Sequence, residues 1–113
     1  MQDILLIGWT TVDDEAAALG LARELVEQGL AACVQIDTGV QSVYRWKGAV
    51  HSDTEWRLMV KFVASRATEL AAFIEANHPY DVPEWVVVRS EHVAPAYLKW
   101  AQAGGDSFGV DPG

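Results

Sequence analysis

Leu30–Val63, LAACVQIDTGVQSVYRWKGAVHSDTEWRLMVKFV, reads as one long β-hairpin turning at Trp46-Lys47-Gly48. Before the turn, Val34, Ile36, Val40, Tyr44 and Trp46 fall on even positions, and after it Val50, Trp56, Leu58, Val60 and Phe62 do the same. Polar residues stand between them, among them Gln35, Asp37, Gln41 and Arg45, then His51, Asp53, Glu55, Arg57 and Lys61. Successive strand side chains point to opposite sides, so a period of two predicts a sheet with one apolar face. Lys47-Gly48 suits a tight turn, because glycine accepts positive φ. Val43 and Met59 interrupt the alternation, which predicts a bulge or a second contact surface.

The length of this hairpin carries a further expectation. An arm of about fifteen residues spans roughly 50 Å at ~3.3 Å per residue. The two main helical segments elsewhere reach only ~20 Å and cover about half of the hairpin's apolar face. The rest is expected to meet another chain, since an uncovered apolar ribbon aggregates. The hairpin therefore predicts an oligomer.

The chain of 113 residues predicts a single domain over 1–113, long enough for a real core. Half of it is hydrophobic, which argues against disorder. A formal net charge of −8 repels nucleic-acid phosphates and anionic membranes, so neither is an expected partner. Cys33 stands alone and cannot close an internal disulfide, which fits a reducing compartment. No apolar run approaches the ~18 residues of a membrane span. Met1–Ile7 lacks a basic leader region and reads as a strand. These features predict a cytoplasmic protein.

In chain order, Ile4–Trp9 is an apolar run suited to a strand buried on both faces. Thr11 or Asp13 is expected to cap a helix whose apolar stripe is Ala18, Leu21, Ala22, Leu25, Val26 and Leu30, stopped at Gln28-Gly29. After the hairpin, Ser65 is the expected cap of a second helix ending at Asn77-His78 before Pro79. His78-Pro79-Tyr80-Asp81-Val82-Pro83-Glu84 follows as a stiff extended loop, because two prolines forbid helix there. Trp85–Val88 predicts the fourth strand, and Pro95 opens a short last helix stopped by Gly104-Gly105. From about Gly104 the tail is expected to be loosely ordered. The order βαββαβ plus a terminal helix predicts an α+β, ferredoxin-like sandwich with a long central hairpin.

Four collinear stretches resemble the CutA family, proteins associated with divalent-cation tolerance. They are Leu25–Ile36, Ser42–Gly48 with Glu55 and Lys61 after it, His78–Glu84, and Tyr97-Leu98-Lys99-Trp100. The resemblance covers nearly the whole chain. It implies a ferredoxin-like protomer assembled as a tight homotrimer through the long strands, in agreement with the overhang of the hairpin. It also implies a role in tolerance of copper and other divalent cations. Gly29 and Gln35 depart from the family pattern, and Trp9, Trp56 and Trp85 are heavier than its usual residues.

Within that resemblance Cys33 and His78 are the natural metal candidates, in one chain or across a trimer seam, with Glu84 and Asp81 as oxygen donors. A thiolate binds Cu(I) well, yet a free cysteine on a strand is equally a small buried hydrophobe. His78 is also placed to close a helix, where its ring can meet the last carbonyls. Tyr80, Tyr44, Trp46 and Lys61 are candidates for lining a ligand cleft, although aromatics are also common in subunit interfaces. Asp13, Asp14 and Glu15 are accounted for by a helix start. There is no nucleophile elbow, phosphate loop or dinucleotide fingerprint, so no enzyme is expected and no obligatory cofactor, only copper or another divalent cation. The competing expectation is a trimeric scaffold similar to the PII signalling proteins, holding a small molecule or a protein partner between subunits.

Overall fold

A computed structural model describes residues 3–105. The tail beyond Gly105, expected to be loosely ordered, lies outside the described residues. Strand β1 (Leu5–Val12) leads into helix α1 (Glu15–Glu27), and strands β2 (Cys33–Trp46) and β3 (Ala49–Val63) form the hairpin. A 3-10 turn at Ala64–Arg66 precedes helix α2 (Ala67–Asn77), strand β4 (Val86–Arg89) and helix α3 (Pro95–Gln102). The sheet order is β2-β3-β1-β4 with every neighbouring pair antiparallel, which is the ferredoxin-like arrangement.

Three local expectations are corrected. β1 continues through Thr10 and Thr11, which pair with Leu58 and Arg57, because β-branched threonines fit a pleated surface as well as valine does. The helix cap accordingly moves to Asp14, whose Oδ1 accepts the Ala17 N–H at 2.7 Å. Ser65 caps nothing: its N–H and hydroxyl both donate to the Asp3 carboxylate, at 2.9 and 2.5 Å, tying the end of β3 to the chain before β1.

The core lies between the sheet and α1 and α2. Val12, Leu58, Val60 and Phe62 project from the sheet and meet Leu21, Leu25, Leu70 and Ile74 from the helices. Helix α3 covers a corner of the opposite face, packing Trp100 and Ala101 on Leu5. Gly8 makes room in the main core for Trp85, whose ring stacks on Phe62 at 6.0 Å. A Cβ at position 8 would sit 2.4 Å from that ring. Gly8→Ala is thus expected to lower stability by roughly 1–3 kcal/mol through overpacking. The cost should shrink in a Trp85→Phe background, a coupling that thermal unfolding of the two single variants and the double variant would measure.

The hairpin turns as predicted, with Lys47 and Gly48 both at positive φ (49° and 81°). Its apolar positions do not share one face throughout. Asp37 pairs with Arg57 but Val40 with Glu55, so Thr38 and Gly39 together stand opposite Trp56, and Gly39 takes the positive φ of 71° that this bulge uses. Beyond the bulge the even residues of β2 therefore share a side with the odd residues of β3. Tyr44 lies across from His51 and Trp46 from Ala49, on the side away from α1 and α2. Val43 and Val50 point to the helix side but beyond the helices' reach, and are 70% and 64% exposed. The molecule, hairpin included, has extents of 49 × 27 × 24 Å.

Candidate functional site: an acidic cleft at the root of the hairpin

β1 ends its pairing with β3 at Val12–Trp56, and the hairpin runs on without that neighbour. Into the gap comes the loop from α2 to β4. The hairpin residues Ser42, Val43, Tyr44, Trp46, Asp53 and Glu55, the loop residues Pro79–Val82 and Glu84, and Asp13 after β1 border a cleft of about 830 Å³.

Its floor is a chain of hydrogen bonds. His78 is 9% exposed, and its Nε2 lies 2.9 Å from the Thr11 carbonyl and 3.0 Å from Thr10 Oγ1. Its Nδ1 accepts the Tyr80 N–H at 3.1 Å. An accepting Nδ1 and a carbonyl facing Nε2 together define a neutral ring with its proton on Nε2. The Tyr80 hydroxyl in turn donates to Glu55 Oε2 at 2.6 Å, and Glu55 is 8% exposed. Burial, then the bond to Glu55 and its charge, push the Tyr80 phenol well above its ordinary range. On the opposite wall the Tyr44 hydroxyl donates to Asp53, which raises its pKa, and the ring stacks on His51 at 5.5 Å. Glu84 is raised above the ordinary carboxylate value by burial and then by the charge of Glu55, partly offset by Arg57.

Of the residues predicted from sequence, Tyr44, Trp46, Tyr80, Asp81 and Glu84 meet in this cleft. His78 stands behind it with both ring nitrogens engaged, Nε2 as the donor and Nδ1 as the acceptor, leaving no lone pair free for a metal. Lys61 lies elsewhere: it pairs with Cys33, and its Nζ sits 5.6 Å from the Tyr97 ring. Cys33 is half-buried beside α3, where it and Tyr97 pack against Leu5, Trp100 and Ala101. The separation follows from topology, since Cys33 opens β2 near the start of β1 whereas His78 closes α2 near the end of β1. Among the described residues no three His, Cys, Asp or Glu side chains are arranged to hold a metal ion. Cys33, His78, Asp81 and Glu84 thus do not assemble within one protomer. Sequence reasoning missed Glu55 and Asp53 as cleft residues, because they sit at odd positions that one alternating face assigned to solvent.

The buried His78 makes stability depend on pH. Burial lowers its pKa below the ordinary 6.5, outweighing the Thr11 carbonyl, Glu55 and Asp13, which act in the opposite direction. Its contribution is complete above the unfolded value. It is lost as pH falls from there through the lowered folded value, because the unfolded chain takes up a proton that the native ring refuses. Glu84 has the opposite sign: its raised pKa favours the fold below the ordinary carboxylate value, and that benefit fades as pH rises through the folded one. Tm measured between about pH 7 and 5 should fall for the native chain and fall less for His78→Asn.

The profile of the CutA1 divalent ion tolerance protein family matches residues 6–104. The chain belongs to the CutA1 family. The divalent-cation tolerance protein CutA of Thermus thermophilus is 41% identical, with 88% of this chain and 94% of that protein aligned. The CutA homolog of Xenopus laevis is 38% identical over 85% of this chain and 64% of its own length. The chain spans about half to two-thirds of the frog, Arabidopsis and mouse CutA relatives. Among solved structures, CutA1 of Oryza sativa superposes with a TM-score of 0.88 at 33% identity, covering 93% of this chain and 96% of that one. CutA of Synechococcus elongatus, solved in complex with a Bis-Tris molecule, gives 0.84 at 35% identity over 91% and 95%. Among the described residues no helix is long and apolar enough to cross a membrane.

Proposed function

We propose that this CutA1 protein is a cytoplasmic, non-enzymatic homotrimer that contributes to divalent-cation tolerance by holding cations in the acidic cleft. The carrying observation is the charge of the lining: Asp13, Asp53, Glu55, Asp81 and Glu84 face the cleft, and no basic side chain joins them among the described residues. Carboxylates so gathered raise the local concentration of cations. Their dispersal around the walls, with no three arranged as a chelate, favours weak binding through retained water over a tight copper centre. Glu84 is raised first by burial and then by the charge of Glu55, and a cation held in the cleft would offset that second, smaller contribution.

Binding of Mn²⁺, a hard oxygen-seeking ion, and of Cu²⁺ would test this by titration calorimetry. Glu55→Gln with Glu84→Gln is expected to weaken both ions by about tenfold, the worth of roughly 1.4 kcal/mol, while Cys33→Ser leaves them unchanged. Loss of Cu²⁺ binding in Cys33→Ser alone would move the site to the thiol and refute the cleft.

A second reading is favoured by size. A cleft of about 830 Å³ is far larger than one ion requires and falls in the range of small-molecule sites. Tyr44, Trp46 and Tyr80 offer aromatic faces to an organic cation. The Synechococcus relative, solved with Bis-Tris, a hydroxylated amine, supports this reading by similarity. In it the cleft serves a small-molecule scaffold and the tolerance role is indirect.

A further inference from the structure

We propose that His78 is the positioning residue of the cleft: its Nδ1 holds the Tyr80 backbone, and Tyr80 in turn holds the carboxylate of Glu55 in its binding orientation. The inference rests on the cleft being a cation site. The geometry separates two jobs of one imidazole. Nε2 ties the ring to the Thr11 carbonyl and Thr10 hydroxyl, which anchors the end of α2 on β1. Nδ1 faces the other way and accepts the Tyr80 N–H, at the first turn of the loop that forms one wall. The Tyr80 ring lies edge-on to the imidazole at 4.8 Å, and its hydroxyl reaches Glu55 at 2.6 Å. His78 is not itself among the cleft-lining residues, so its effect on binding passes through Tyr80.

The arrangement requires an unprotonated Nδ1. A second ring proton would set an N–H donor against the Tyr80 N–H, releasing the loop from its support. The ionisable groups around the ring are Asp13 at the end of β1, Glu55 on β3 and Tyr80 on the same loop.

Asparagine and glutamine at position 78 divide the two jobs, because Asn Oδ1 falls near the place of Nδ1 and Gln Nε2 near that of the ring Nε2. His78→Asn is expected to keep the Tyr80 N–H protected from hydrogen exchange and to keep the Mn²⁺ affinity of the native chain. His78→Gln, which retains the bond to Thr11, is expected to speed exchange at the Tyr80 amide by about tenfold, the worth of one lost hydrogen bond. Its Mn²⁺ affinity should fall several-fold. The loop protection of the native chain should also decline as pH drops, while that of His78→Asn stays flat.

Tyr80→Phe supplies an independent variant should His78→Gln not fold: it keeps the amide protected and loses Mn²⁺ affinity. Equal exchange and equal affinity in the Asn and Gln variants, or full affinity in Tyr80→Phe, would overturn the proposal. Absence of Mn²⁺ binding by the native chain would refute the cleft as a cation site, and the exchange data would still decide whether Nδ1 holds the loop.

Discussion

Val60→Asp is expected to leave no folded protomer. Val60 is wholly buried, pairs with Gly8 on one side and Val34 on the other, and joins Leu58 and Phe62 as the sheet's contribution to the main core. Among the described residues no Lys or Arg is buried, so a carboxylate there is either charged without a partner or forced to stay protonated at neutral pH. A cost above ~4–5 kcal/mol is comparable with the roughly 5–15 kcal/mol that holds a domain together. Val60→Ala provides the scale, because it removes two methyl groups and adds no charge, and should cost roughly 2 kcal/mol. Far-UV circular dichroism and guanidinium unfolding would read both. A cooperative transition in Val60→Asp close to the native midpoint would show that position 60 does not face the core. Met59→Asp is the internal comparison, since Met59 points to the opposite, half-open side and should be tolerated far better.

That contrast also marks how far the sequence was legible. The parity of Leu58, Val60 and Phe62 placed the core face correctly, because both α1 and α2 lie over that part of β3 and burial there obeys the period of two. The same parity failed past Gly39. A one-residue bulge reverses the facing of every later β2 side chain, and only the breaks at Val43 and Met59 hinted at it. The cleft inherits that difficulty. Tyr44 and Trp46 reach it because the bulge turns them to the side that carries Asp53 and Glu55, a juxtaposition across strands that no local pattern encodes.

His78–Glu84 was legible as a stiff, displayed loop from its two prolines. The bond from Tyr80 to Glu55, residues 25 apart in sequence, was not. The family resemblance makes Cys33 and His78 the metal candidates, in one chain or across a trimer seam. Topology sends one beneath α3 and the other to the far end of β1, and chemistry cannot act across that gap within one chain.

A doubly charged hairpin, Val43→Asp with Val50→Asp, is expected to convert the proposed trimer into folded monomers. Both side chains lie beyond the cover of α1 and α2 at 70% and 64% exposure, so the isolated protomer has little to lose from either change. Surface substitutions of that kind usually cost no more than about 0.5 kcal/mol. In an assembly that buries the overhang, both carboxylates are desolvated once per subunit; Arg45 stands opposite position 50, but position 43 faces only Ser52, so that charge costs several kcal/mol per subunit. Light scattering should therefore report the monomer mass while the far-UV spectrum stays native, and Tm should cease to depend on protein concentration. An intact trimer would place the interface elsewhere than this face of the hairpin. A monomer formed by Val50→Asp alone would then answer a second question, because Val43 borders the cleft and Val50 does not. Mn²⁺ affinity retained in the monomer means that one protomer completes the cleft, whereas affinity lost with the trimer means that a neighbouring subunit supplies its missing wall.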